Sequence, residues 1–79
     1  MVTTESVKKG IEAGLACEHL EVLGDGEHFQ ALIVSQEFAG RSRVQRHQLV
    51  YAALGERMRE EIHALSMKTL TPEEWRAGG

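Results

Sequence analysis

Apolar and polar residues change rhythm several times along the chain, and each rhythm predicts an element. Val7, Ile11 and Leu15 recur at four-residue steps, which aligns them on one helical face, so a helix is expected over about 4–16. Gly10 and Gly14 weaken helix propensity there, which points to a helix lying close against a sheet. Over 19–23, Leu20 and Val22 alternate with His19 and Glu21, the two-residue period of a strand. The stretch 29–35, FQALIVS, is the most continuously apolar in the chain and predicts a central strand covered on at least one face. Between the two stands GDGEH, whose Asp-Gly step favours a tight turn, so the pair is expected to form an antiparallel hairpin whose loop ends at His28.

Gly40 breaks the pattern, and Ser42 suits the N-cap of a second helix. In that helix Val44, His47, Tyr51, Leu54 and Met58 follow three- and four-residue steps, so they are expected to form the buried stripe, with Val50 beside them and Arg43 and Arg46 mainly off it. Gly55 is placed to bend or end it. Over 62–70 the two-residue period returns, with His63, Leu65 and Met67 on one face and Ala64, Ser66 and Lys68 on the other. The ending TPEEW carries a full helix-start signature: Thr71 as cap, Pro72 at the first helical position and Glu74 closing a capping box. The order α-β-β-α-β-α predicts one α+β domain over 1–79, a small three-stranded sheet with helices mainly on one face.

Composition narrows the function classes. Nine Lys and Arg against twelve Asp and Glu give a formal net charge of -3, so general attraction to a phosphate backbone is not expected and any nucleic-acid role needs a local basic patch. Arg41, Arg43 and Arg46 form the one such cluster. One cysteine cannot close an internal disulfide, which favours a reducing compartment. No apolar run is long enough for a membrane span or follows the pattern of a secretory leader, so the expected address is the cytoplasm, without membrane contact.

Motifs for catalysis are missing. The sequence holds no G-x-S-x-G, P-loop, G-x-G-x-x-G, H-E-x-x-H or C-x-x-C, and an enzyme is not expected. Cys17 follows an apolar helix and is expected to fill core space. His19, beside Glu18 and Glu21, is expected to be a solvated edge residue, and His47 a packed structural one on the helix. His28 and His63 stand at strand starts, and neutral imidazole is a good ligand for zinc or iron. Taken from residues alone, two unrelated polar positions remain the commoner explanation of that pair.

The runs FAGRSRVQRHQLVYAALGERM and IHALSMKTLTPEEW, with an R-H pair before an apolar helix, an I-H-A-L strand and the T-P-E-E-W ending, resemble the BolA family from about Thr4 to Trp75. The loop GDGEHF is similar to the IbaG-type branch, which has a histidine there in place of a cysteine. The resemblance implies an α+β fold like the type II KH domain. It also implies a non-enzymatic adaptor that binds a monothiol glutaredoxin of the C-G-F-S type and shares with it a [2Fe-2S] cluster, in cluster trafficking or iron sensing.

Carried over by position, the resemblance implies that His63 is the common cluster ligand, His28 the second, and His47 structural. A [2Fe-2S] cluster needs four terminal ligands; the glutaredoxin cysteine and a glutathione thiolate would supply the other two. The implied free state is a monomer or weak homodimer. The rival expectation is a DNA-binding regulator using Arg41, Arg43 and Arg46. The sequence holds no G-x-x-G loop of the kind with which KH domains clamp a nucleic-acid backbone.

Overall fold

Thr3 starts the first helix through a capping box: its hydroxyl accepts from the Ser6 N–H, and the Ser6 hydroxyl accepts from the Thr3 N–H. A computed structural model of the chain describes residues 2–56 and 64–78. Helix α1 (Thr4–Gly14) is followed by β1 (His19–Gly24), β2 (His28–Val34), a 3-10 turn (Gln36–Phe38), α2 (Arg43–Leu54), β3 (Ala64–Leu70) and α3 (Pro72–Arg76). The expected order is therefore present. The expectations for Met58, Ile62 and His63 lie outside the described residues.

The sheet order is β1-β2-β3, with β2 central as its apolar run predicts. Strands β1 and β2 pair antiparallel, Gly24 opposite Phe29 and His19 opposite Val34, while β2 and β3 run parallel, His28 opposite Ala64 and Val34 opposite Leu70. Alternation then gives the sheet two unlike faces. Leu20, Phe29, Ala31 and Ile33 are buried with Val7 and Ile11 of α1, Val50 and Leu54 of α2, and Phe38. Glu21, Leu23, His28 and Gln30 point the other way and are exposed.

Three details differ from the periodicity reading. The buried positions of α2 are Val50 and Leu54, with Leu49 and Ala53 packed against the core, whereas Val44 is 65% exposed and Tyr51 is also exposed. The helix meets the core along the strip through Arg46, because the Arg46 head finds acceptors in β3 and α3 and its stem can line the interior. Gly14 serves a helix contact: a Cβ there would stand 2.8 Å from Ala53 of α2. At Gly14 the close approach is to α2, while Val7 and Ile11 of the same helix pack on the sheet. Finally Trp75 of α3 reaches β1, where it stacks on His19 with ring centroids 4.9 Å apart.

Candidate functional site

Two places carry chemistry, the mouth of the hairpin and a groove between α2 and β3. At the mouth, each strand reaches one residue further into the turn than periodicity suggests, so the connection shrinks to Asp25, Gly26 and Glu27, while β2 ends at Val34, one residue before the expected Ser35. Asp25 organises it: one carboxylate oxygen accepts the N–H groups of Glu27 and His28, both at 2.9 Å. Those two bonds hold the Asp25 carboxyl below its usual pKa range. Gly26 takes φ 103°, a conformation that favours glycine. At Gly24 a Cβ would stand 2.5 Å from the Phe29 ring and 2.7 Å from the His28 carbonyl oxygen, so only a bare backbone lets the hairpin close.

His28 is thus held by its backbone and open at its side chain. It is the first residue of β2, exposed, on the face away from α1 and α2. Its imidazole makes no hydrogen bond to any described residue. Its neighbour in the parallel ladder is Ala64, whose N–H donates to the Glu27 carbonyl at 3.3 Å. Ala64 is the residue that follows His63 in the chain; His63 itself lies outside the described residues. Among the described residues no group of three or more His, Cys, Asp and Glu could hold a metal ion.

The other candidates are engaged. Cys17 is partly buried against the core, and its thiol donates to the Leu15 carbonyl at 3.4 Å. Burial, and then Glu12 and Glu37, push that thiol's pKa up, which keeps it protonated and a poor ligand. His19 is less solvated than expected: one ring nitrogen lies 2.6 Å from a Glu21 carboxylate oxygen while the ring stacks on Trp75. The missed signal was the single tryptophan, far along the chain.

The groove, about 620 Å3 in volume, brings together Arg41, Arg43, Arg46 and His47 of the α2 region with Lys68 of β3 and Glu74 of α3. Arg46 is a clamp. It donates to the carbonyls of Thr69 at 3.0 Å and Arg41 at 3.1 Å, and to both Glu74 carboxylate oxygens at 2.7 and 3.4 Å. Arg46 and the capping hydrogen bond from the Thr71 N–H hold the Glu74 carboxyl down to about 2. Arg41 is tethered at one nitrogen to the Glu37 carbonyl. His47 is half-buried, and Arg43 is exposed. The structure therefore collects the predicted basic cluster into one groove, with Arg46 bound into the fold.

A family model described as BolA-like protein matches residues 2–74. The chain belongs to the BolA family. Protein BOLA2 of Arabidopsis thaliana is 43% identical over 81 residues, 96% of this chain and 86% of that protein. The acid stress protein IbaG of Escherichia coli K12 is 45% identical over 62 residues, covering 77% of this chain and 74% of that one, in line with the branch suggested by the loop histidine. The DNA-binding transcriptional regulator BolA of Haemophilus influenzae is 46% identical over 54 residues; the match spans 68% of this chain and about half, 52%, of that protein. Among solved structures, a BolA homologue from Coxiella burnetii superposes with a TM-score of 0.88 at 47% identity, over 96% of this BolA chain and 99% of the other. The α+β fold is that of the family. No helix among the described residues is long and apolar enough to cross a membrane.

Proposed function

We propose that this BolA-family chain is a non-enzymatic adaptor that docks on a monothiol glutaredoxin and holds one side of a shared [2Fe-2S] cluster through His28 and His63. The observation that carries this reading is the state of His28: its backbone is fixed by Asp25, its imidazole is exposed and makes no hydrogen bond to any described residue, and it pairs with the residue that follows His63. A cluster ligand needs a donor atom that the fold does not already use, and among the described residues His28 meets that requirement where His19 and Cys17 do not. The described residues offer no complete metal site, so the remaining ligands would come from His63, the glutaredoxin cysteine and glutathione. Two neutral imidazoles in place of two thiolates make such a cluster less negative and raise its reduction potential.

Anaerobic reconstitution with a C-G-F-S glutaredoxin and glutathione tests the reading. Wild type should give a visible absorption and circular dichroism spectrum distinct from that of the glutaredoxin alone, and His63→Ala should abolish it or return it to the glutaredoxin spectrum. A glutaredoxin spectrum unchanged by wild type would overturn the ligand assignment.

A second reading, DNA binding, draws on the groove, where Arg41, Arg43 and Lys68 gather on a chain of net charge -3, and on the name of the Haemophilus relative. It predicts that Arg43→Ala lowers the salt slope of DNA affinity by about one. Affinity and slope unaltered by that change would remove it.

A further inference from the structure

Strand β3 ends the sheet, with β2 on one side and no strand on the other among the described residues. Side chains alternate along a strand, so Met67 and Thr69, paired with Ala31 and Ile33 of the core, lean toward the helices while Lys68 and Leu70 lean away. The basic groove is lined by all four of these successive residues together with the arginines of the α2 region. A groove that touches both faces of one strand runs along its edge. Backbone groups alternate too. The Ala64 N–H donates to the Glu27 carbonyl, and the Leu70 carbonyl accepts from the Ser35 N–H, which turns the backbone of Ala64, Ser66, Lys68 and Leu70 toward β2. Arg46 donates to the Thr69 carbonyl from the other side, which turns the backbone of Met67 and Thr69 outward. Beyond that one capped carbonyl, the Met67 N–H and C=O and the Thr69 N–H face the groove without a hydrogen bond to any described residue. The acid lining the groove, Glu74, is taken up by Arg46 and the Thr71 N–H. Arg43 and Lys68 are exposed and pair with no described acid.

We propose that the outer edge of β3 takes an extended acidic segment of a partner protein as an added strand. The backbone of Met67 and Thr69 supplies the pairing, and Arg41, Arg43 and Lys68 select for acidic side chains. Charge complementarity favours this occupant on a chain whose net charge is -3, because the groove is a local basic site whose one acid is already spent. The backbone favours a polypeptide over a nucleic acid: a phosphodiester has acceptors only, whereas the edge offers a carbonyl as well as N–H groups, and a strand engages both. A second copy is the less favoured occupant, since a two-fold contact through this edge sets one basic groove against the other. The proposal is independent of the shared cluster, and it competes with DNA for the same groove.

The test uses the full chain, labelled with 15N, and three probes: a short blocked peptide of alternating valine and aspartate, the same peptide N-methylated at its valines, and a single-stranded oligothymidylate of equal charge. With the first peptide at about ten times its Kd, the Met67 and Thr69 N–H groups should exchange with solvent deuterium about tenfold more slowly, while those of Ser66 and Lys68, already turned to β2, change little. N-methylation keeps the charge and removes the pairing, and should weaken binding about tenfold. The double change Arg43→Glu with Lys68→Glu should also weaken it about tenfold, with far-UV circular dichroism checking that the variant folds. No measurable binding of the first peptide overturns the proposal. So does an N-methylated peptide that binds within about twofold of the first, which would reduce the site to charge alone. Oligothymidylate bound more tightly than the peptide assigns the groove to nucleic acid instead. Slow exchange of Met67 and Thr69 in the free chain that is lost on dilution assigns the edge to a second copy, and this too overturns the proposal.

Discussion

The hairpin mouth and the basic groove hold their polar groups in opposite ways. In the groove the side chain is fixed: Arg46 is tied to two backbone carbonyls and a carboxylate and is only 14% exposed. At the mouth the backbone is fixed, by Asp25 and by the Gly24 contact with Phe29, while the His28 imidazole stays open. Charge density marks the groove, yet Arg46 at its centre already holds β3 and α3 to α2. A single imidazole marks the mouth, with no hydrogen bond to any described residue. The contrast teaches that capacity for a ligand is measured by unengaged atoms rather than by the number of charges.

Substitutions should separate the two regions. The largest stability loss is expected from Arg46→Met, about 2–3 kcal/mol in urea unfolding, because the Thr69 carbonyl and Glu74 lose a charged partner; a cost under about 1 kcal/mol would mean that Arg46 is not a clamp. Gly24→Ala should follow at about 2 kcal/mol, from a Cβ driven into the Phe29 ring and the His28 carbonyl, and should show as a lowered Tm. Thr71→Ala removes the cap of α3 and should cost about 1 kcal/mol, with the Trp75 fluorescence reporting any loosening of that helix.

Glu74→Gln adds a pH test. The folded Glu74 pKa of about 2 lies below its ordinary 4.5, so its charge stabilises the fold above about pH 4.5, and that contribution is lost as pH falls through 2. Wild type and Glu74→Gln should differ in Tm at pH 6 and converge toward pH 2; a gap that widens in acid would contradict the assignment. The smallest stability effect belongs to His28→Ala, within about 0.5 kcal/mol of wild type, although the same change should remove a cluster ligand. A large stability loss there would make His28 a structural residue.

The sequence made local features legible. The N-caps at Ser42 and Thr71, the hairpin turn, the central β2 and the stop at Gly55 all depend on residues within a few positions of each other. What stayed hidden depends on partners far along the chain. Arg46 sits inward because Thr69 and Glu74 meet it, Gly14 is small because Ala53 approaches it, and His19 stacks because Trp75 returns to it. Periodicity ranks residues by apolarity, so it put Val44 and Tyr51 inside and Arg46 outside. The candidate site was legible at His28 as a histidine beside a turn. Its pairing with His63 came from family resemblance, and His63 falls outside the described residues.

The central claim is that histidines of this chain ligate a cluster shared with a glutaredoxin. The most direct measurement is pulsed electron paramagnetic resonance of the reduced, reconstituted complex with 15N-histidine incorporated in this chain alone. The account predicts strongly coupled 15N from two histidines in wild type and from one in His28→Ala. A reduced cluster with no coupling to any histidine of this chain would contradict it.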